Sequence, residues 1–289
     1  MRTGCRCVFL RAFVAASGLL ALTFVCVTGI SAQQTFARGQ NVAPAFEGWE
    51  PNPDGSFSMV FGFFNRNCEE ALNIPIGPDN SIEPGGPDRG QPTRFFPRRG
   101  KFIFKVRVPS DFGKNELVWT LTAHSKTEKA FGTLQPEYVL DKRLIMMNES
   151  AYGQRFGEGD NQYPIVDVPG GAHRTVKVGE RLTLSAQAKD DGLPVSRGGR
   201  DASKEPPVVA GWLLYRGNDA HVAFDPEQAD PDFRRRESCQ NVPPAQALPP
   251  DGKFTVTATF KEPGTYVLRA LVRDRALKTT RDVTVTVTR

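Results

Sequence analysis

The dominant pattern along the chain is an alternation of apolar and polar residues with a period of two. It is clearest over residues 101–108 and over 280–288, where valines alternate with threonines. Such alternation places one face of a strand in a core and the other face in water. Helical periodicity is weak, and only residues 138–148 could form a turn or two of helix. The pattern therefore predicts an all-β protein.

Turn-forming residues divide these strands into hairpins. Residues 45–50 and 56–64 flank the sequence Asn52-Pro53-Asp54-Gly55, which favours a turn. A second hairpin is predicted around residues 124–128. Further strands are predicted at 101–108, 117–123, 129–134, 174–178, 181–188, 208–215, 253–260, 265–272 and 280–288.

Short strands separated by Gly and Pro are typical of β-sandwiches. We therefore predict an N-terminal β-sandwich domain over residues 33–141 and a second, immunoglobulin-like β-sandwich domain over 174–289. Residues 142–173 lack the strand pattern and contain loop-like glycine-rich stretches, which indicates a linker.

The first 32 residues predict export. Arginines near the start precede an apolar stretch over 13–27, and small residues lead to Ala32. This is the pattern of a secretory signal peptide, with cleavage expected near Ala32. A retained membrane anchor is the alternative, but a spanning helix needs about 20 predominantly apolar residues and this stretch is shorter. A lipidated Cys26 is disfavoured because the residue before it, Val25, is not small. We expect a secreted or periplasmic protein without a transmembrane anchor.

Removing the leader changes both the charge and the cysteine count. The whole chain carries 37 basic and 32 acidic residues, and three of the five excess charges are arginines of the leader, which has no acid. A remaining net charge of +2 does not suggest nucleic-acid binding, which needs clustered basic charge. Of five cysteines, only Cys68 and Cys239 stay in the mature chain. Whether they pair depends on geometry, which the sequence leaves open.

Recognisable motifs lie at 178–184, 188–194, 212, 222–224, 260–268 and 283–287. Through these motifs, residues 175–288 resemble the polycystic-kidney-disease-type (PKD) and related immunoglobulin-like domains of exported bacterial proteins. The resemblance implies a spacer or binding module rather than a catalyst. It departs from the pattern at 195–207 and 225–251, which look like insertions. Residues 44–141 also resemble uncharacterised exported bacterial proteins, which implies no particular activity.

Catalytic signatures are missing from the sequence. The three histidines, His124, His173 and His221, fall in a turn, a linker and a strand edge. Zinc-protease, nucleophile-elbow and phosphate-loop motifs are absent. We predict a non-enzymatic protein without a cofactor. An enzyme with a composite site between the domains is retained as an alternative, because a catalytic triad needs no fixed sequence order.

Four aspartates are candidate ligands of a metal ion. Asp190 and Asp191 follow a strand, and Asp225 and Asp274 lie near other strand ends. Carboxylates gathered at one end of a sandwich could bind Ca²⁺, which takes six to eight oxygen ligands. The alternative is that Asp-Asp-Gly simply forms a turn.

The Pro- and Gly-rich segment 74–100 is the favoured position for a ligand site. Arginines beside aromatic rings suit anionic or sugar-like partners, and long irregular loops are often functional. Trp49, beside a turn, is a further candidate, whereas Trp119 and Trp212 are expected in the cores. The alternative is that the phenylalanines pack into the core and leave the arginines solvated. The candidate residues of the segment are Arg89, Arg94, Phe95, Phe96, Arg98 and Arg99, followed by Lys101.

Together these patterns predict an exported, non-enzymatic binding or structural protein of the bacterial envelope. A glycan, a polyanion or another envelope protein is the expected kind of partner. The second hypothesis is a carbohydrate- or polyanion-binding accessory protein that uses residues 89–101.

Overall fold

A computed structural model describes residues 36–149, 160–193, 206–228, 239 and 245–289, and most regular elements among them are β-strands. The prediction of an all-β fold is confirmed. The predicted signal peptide lies outside the described residues, as do large parts of the two predicted insertions. In the described part of the chain, no helix has the length and apolar character needed to cross a membrane.

The first half of the chain forms two three-stranded antiparallel sheets and a two-stranded ribbon. The sheets have the strand orders β1-β2-β6 and β4-β7-β8, and the ribbon pairs β3 with β5. The strands are β1 (Val42–Pro51), β2 (Phe57–Asn65), β3 (Leu72–Asn73), β4 (Asn80–Glu83), β5 (Arg94–Phe95), β6 (Arg98–Val108), β7 (Leu117–Ala123) and β8 (Lys126–Gly132).

Both predicted hairpins of this half are present. β1 pairs with β2 across the Asn52–Gly55 turn, and β7 pairs with β8. The β7–β8 turn is tighter than predicted, because its two central residues, His124 and Ser125, both adopt a left-handed conformation with φ of 49° and 61°. Positive φ at both positions is the geometry that matches the twist of a two-residue hairpin.

Aromatic side chains fill the first core. Trp119 is completely buried and makes an edge-to-face contact with Phe104 at a centroid distance of 4.9 Å. Phe61 contacts both of these rings. This confirms the prediction that Trp119 is a core residue.

The second half forms two four-stranded sheets around a second core. Their strand orders are β10-β16-β15-β12 and β13-β14-β11-β9. Inward-facing residues of both sheets, including the fully buried Trp212, form one apolar cluster. The strands are β9 (Ile165–Asp167), β10 (His173–Lys177), β11 (Arg181–Lys189), β12 (Val209–Arg216), β13 (Val222–Asp225), β14 (Lys253–Phe260), β15 (Gly264–Arg273) and β16 (Lys278–Thr288).

The stretch predicted as a linker contributes to this fold. β9 pairs with β11, and the helix α1 (Lys142–Glu149) packs Ile145 and Met146 against Ala276 and Leu277 of the second half. Asp141 begins the helix, because its Oδ1 accepts a hydrogen bond from Leu144 N at 2.6 Å. The domain boundaries stay a prediction.

Candidate functional site

The predicted ligand-binding segment lies against the second half of the protein. The hydroxyl of Tyr215, on β12, donates to the carbonyl oxygen of Gly90 at 2.7 Å. Thr93 N donates to Tyr215 O at 3.2 Å, and Gly217 N donates to Thr93 Oγ1 at 2.9 Å. Burial raises the pKa of Tyr215 to about 12, so its hydroxyl is a neutral donor near pH 7. We call the contacts between residues 88–96 and 213–219 the clasp.

Ion pairs flank these hydrogen bonds. Arg216 donates to both carboxylate oxygens of Asp88, at 2.7 and 3.1 Å. This hydrogen bonding lowers the pKa of Asp88. Arg94 pairs with Asp219, which also accepts a 2.6 Å hydrogen bond from Asn73 Nδ2. Burial alone would raise the pKa of Asp219, but Asn73 and Arg94 lower it overall.

An apolar contact extends the clasp. Phe96 and Ile103, from the first half, pack on Leu213, Tyr215 and Leu271 of the second half. These three residues lie on the outer face of the β10-β16-β15-β12 sheet, where solvent would otherwise be expected. Covering them removes an exposed apolar patch from a sheet surface.

A buried arginine lies beside this contact. Arg269, on β15, donates to Asp282 through Nε at 2.6 Å and through Nη2 at 2.8 Å. Its Nη1 donates to Ile103 O, in the first half, at 2.8 Å. The guanidinium also stacks on the ring of Tyr215, at 3.5 Å from the centroid. Arg269 therefore joins a carboxylate and a ring of its own half to a carbonyl of the other half.

The structure corrects the assignment of Phe95 to a ligand site. Phe95 is completely buried and packs edge-to-face on Phe63, with centroids 5.1 Å apart, and beside Trp119. The alternative stated for the segment is thus right for Phe95. Phe96 is half-buried in the clasp.

Each candidate arginine binds an acceptor within the chain, and two of them, Arg94 and Arg99, line one pocket beside Phe96. Arg89 donates to Pro84 O at 2.7 Å, and Arg98 donates to Arg66 O at 3.2 Å. Arg99 donates to Glu47 Oε1 at 2.6 Å and to a carbonyl of β2. Burial raises the pKa of Glu47, and Arg99 opposes that shift. The expectation that these arginines are merely solvated is therefore also incomplete.

Trp49 and Lys101 have structural contacts as well. Trp49 is half-buried, donates through Nε1 to Gln135 O at 2.8 Å and packs edge-to-face on Phe57. Lys101 donates to the carbonyl oxygen of Asn148, in α1.

The four candidate metal ligands do not form one cluster. Asp225 pairs with Arg181 at 2.8 Å on the exposed face of the β13-β14-β11-β9 sheet. Asp190 and Asp191, as the turn interpretation predicts, accept hydrogen bonds from Gly192 N and Leu193 N. Within the described ranges, no three His, Cys, Asp or Glu side chains are grouped so that they could hold a metal ion.

Asp274 has the most perturbed carboxylate of the four. Burial raises its pKa to about 6, against the effect of backbone hydrogen bonds from Leu277 and Ala276 and a side-chain bond from Asn161. The nearby Asp190 contributes to the rise. Asn161 and Gln162 join Asp274 to the Asp190-Asp191 turn, through hydrogen bonds to Asp274 Oδ2 and Asp191 Oδ2, whereas Asp225 lies apart.

A cleft of about 360 Å³ lies between the two halves, lined by β6, α1 and β16. Its charged residues are paired with one another: Glu50 with Lys105, Lys278 with Glu149 at 3.4 Å, and Arg269 with Asp282 at 2.6 Å. At one side lies Tyr163, whose pKa burial raises to about 12.

None of the three histidines lines the cleft. His124 contacts Glu70 Oε1 at 3.2 Å, and His173 and His221 lie on β10 and before β13. The three histidines, all of them described, therefore contribute no side chain to this cleft.

Cys68 and Cys239 form a disulfide that links positions 171 residues apart, with a Cα–Cα distance of 5.3 Å. Both are buried. This resolves the pairing that the sequence left open, and it links the first half of the chain covalently to the second.

Sequence reasoning missed the partners in the second half, Tyr215, Arg216, Asp219 and Arg269. Nothing in the local sequence distinguishes them from other residues of strands and turns. The available signal was indirect: β12 and β15 carry apolar residues at both inward and outward positions, which indicates a strand covered on both faces.

No protein-family model matches the chain, and no curated protein matches it, so the PKD-type resemblance stays an expectation. Solved structures to which it is similar include the D00-D0 domain of intimin, at 11% identity and a TM-score of 0.26, covering 86% of this chain and 100% of that one. The adhesin InvE of Yersinia pseudotuberculosis shows 10% identity and a TM-score of 0.24, covering 88% of this chain and 61% of that one.

Domains 4 and 5 of the S-layer protein SbsC show 10% identity and a TM-score of 0.23, covering 61% of this chain and 66% of that one. The chain thus spans under two thirds of the length of the InvE and SbsC structures. TM-scores this low carry no argument about function. The all-β class rests on the strands of the chain itself.

Proposed function

We propose that this chain is an exported structural or binding protein of the bacterial envelope, without enzymatic activity, whose two β-cores are held in a fixed relative orientation. The observation that carries the proposal is the clasp. Residues that could have formed a ligand surface instead join the halves, through Tyr215–Gly90, Arg216–Asp88 and Arg94–Asp219.

Several kinds of contact support a rigid connection. Hydrogen bonds, ion pairs, an apolar contact and the Cys68–Cys239 disulfide all cross between the halves or brace them. Interfaces between domains of one chain permit relative motion by default unless they are extensive and apolar. A spacer, or a module that holds a binding surface in place, requires little relative motion of its domains, whereas an enzyme that closes by a hinge requires that motion.

Export is tested by expressing the full chain in a bacterial host. We expect a mature form beginning at Gln33 in the periplasm or medium, with Cys68 and Cys239 oxidised. Retention in the cytoplasm with the leader intact would overturn export.

The structural role is tested in the organism that encodes the protein. We expect the double substitution Arg94→Ala and Arg216→Ala, which opens the clasp, to reproduce the envelope phenotype of a deletion. A matched pair on exposed strand positions, Arg181→Ala and Arg281→Ala, should leave it unchanged. Wild-type behaviour of the clasp variant would contradict a role for fixed orientation.

The carbohydrate- or polyanion-binding hypothesis loses its support in residues 89–101. Arg89, Arg94, Arg98 and Arg99 already bind acceptors of the chain, and a ligand would have to displace them. We therefore retain one function only.

A further inference from the structure

Three segments meet at one end of the second core. Residues 160–162 precede β9, Asp190 and Asp191 follow β11, and Asp274 lies between β15 and β16. Gln162 N donates to Asp191 Oδ2 at 2.8 Å. The adjacent Asn161 donates through Nδ2 to Asp274 Oδ2 at 3.2 Å. Asn161 and Gln162 thus connect the Asp190-Asp191 turn to Asp274.

Two oxygen atoms at this place are buried without a hydrogen-bond partner. Asp190 Oδ2 accepts a bond from Gly192 N at 2.9 Å, but Asp190 Oδ1 is shielded from solvent and has no partner in the described part of the chain. Asn161 is only 1% exposed, and its Oδ1 likewise has no partner there. Leaving a buried acceptor unpaired costs about 1–3 kcal/mol, more for a charged group.

Asp274 contributes a third oxygen. Its Oδ1 accepts hydrogen bonds from the backbone N–H groups of Ala276 and Leu277, which fixes the orientation of the carboxylate. Within the described residues its Oδ2 accepts one longer hydrogen bond, from Asn161 Nδ2 at 3.2 Å. This oxygen therefore lies beside the Asn161 amide with capacity for a further ligand.

We propose that Asp190, Asp274 and Asn161 bind a calcium ion at this end of the second core. Two carboxylates and an amide oxygen are ligands that Ca²⁺ favours, and backbone carbonyls and water commonly complete its six to eight positions. In the structure, Asn161 Nδ2 faces Asp274 Oδ2. A half-turn of the amide exchanges its N and O, and Asn161 Oδ1 and Asp274 Oδ2 would then both face the ion. The site goes beyond the proposed structural role and does not depend on it.

This site differs from the one the sequence suggests. Asp225 is excluded, because it is paired with Arg181 elsewhere. Asp191 supports the site rather than binding the ion, since each of its oxygens accepts a backbone N–H, from Gln162 and from Leu193. Asn161, which no motif singles out, is added because it is buried and unsatisfied.

The first experiment measures thermal unfolding and calorimetric binding of the mature full-length chain after EDTA treatment. We expect 5 mM CaCl₂ to raise Tm by roughly 3–8 °C, as expected for an extracellular-type site with a Kd near 10⁻⁴ M. Asp190→Asn and Asp274→Asn should each weaken calcium binding by about tenfold or more. Asp225→Asn is the matched control and should bind like the wild type.

A second measurement locates the ion without altering a ligand. Tyr163 is two residues from Asn161, at most about 7 Å along the backbone, so it lies close enough to sensitise a bound lanthanide. We expect tyrosine-sensitised Tb³⁺ emission that Ca²⁺ displaces, and Tyr163→Phe should remove most of that emission while leaving calcium affinity unchanged.

No calcium effect on the wild type in either measurement would overturn the proposal. So would equal loss of binding in Asp225→Asn and Asp190→Asn, which would indicate nonspecific attraction to acidic surface. If the ligand variants do not fold, the Tb³⁺ result on the wild type and on Tyr163→Phe decides.

Discussion

Replacing Arg269 by Met should destabilise the protein and uncouple its two cores. The substitution keeps most of the apolar stem but removes the bidentate pair with Asp282, the bond to Ile103 O and the stacking on Tyr215. Breaking a buried ion pair costs about 3–5 kcal/mol. The Asp282 side chain is 39% exposed and can be rehydrated, so we expect a loss of about 2–4 kcal/mol.

The assay is urea unfolding followed by tryptophan fluorescence. Trp119 reports on the first core and Trp212 on the second. Because Trp49 also fluoresces, each of the two reporter variants replaces Trp49 and the tryptophan of the other core. In the wild type we expect the two cores to unfold in coincident transitions. In Arg269→Met we expect lower midpoints that no longer coincide, because the bond from β15 to Ile103 is lost.

Arg281→Met is the matched control. Arg281 is exposed, lies on the adjacent strand β16, and its side chain donates to the carbonyl oxygen of Thr280. Its replacement should change the free energy of unfolding by less than about 0.5 kcal/mol. Indistinguishable behaviour of the two variants would refute the assignment of Arg269 to the connection between the halves.

Other consequences of the structure can be measured with the same unfolding assay. Replacing Cys68 and Cys239 by Ser removes the constraint on a 171-residue loop, and the loop-entropy relation predicts a loss of about 5 kcal/mol in the free energy of unfolding. Reduction of the disulfide in the wild type should lower the free energy of unfolding by the same amount. Because the pKa of Asp88 is lowered in the folded state, the stability that its ionised form contributes should be constant from about pH 8 to 5 and should disappear as pH falls through that lowered pKa. In Asp88→Asn, the free energy of unfolding should therefore fall less steeply at acid pH. Phe95→Ala should lower the free energy of unfolding by about 3–5 kcal/mol, because Phe95 is completely buried. Phe96→Ala should lower it by clearly less, because Phe96 is half-buried.

Each of these predictions has a contradicting outcome. Wild-type stability of the cysteine variant would mean that the disulfide does not constrain the unfolded chain. An unchanged acid limb in Asp88→Asn would remove the ion pair with Arg216 from the energetics of the clasp. Equal costs for Phe95→Ala and Phe96→Ala would contradict their different burial.

Most of the strands could be predicted because their pattern is local. Period-two alternation predicts β6 and β16, and Pro-Asp-Gly predicts the turn between β1 and β2. The tight His124-Ser125 turn could not be predicted, because neither residue is typical of left-handed conformations at both positions of a two-residue turn.

The site was less accessible to sequence reasoning, because its contacts are distant along the chain. The Pro- and Gly-rich segment was correctly predicted to be mostly irregular, but its partners lie more than 120 residues away, as in the bond from Tyr215 to Gly90. The pairing of Cys68 with Cys239 depends on the same long-range geometry. Asn161 is similar: only burial and a missing hydrogen-bond partner distinguish it.

The central claim is that the clasp holds the two halves in one orientation. Electron–electron distance measurements between spin labels at Lys129 and Thr183, exposed residues on β8 and β11, test it directly. The native cysteines are paired, so labels can be placed on introduced cysteines. We predict a single distance distribution as narrow as that of a reference pair within the second half, at Thr183 and Thr286. A markedly broader or multimodal distribution between the halves would contradict the account.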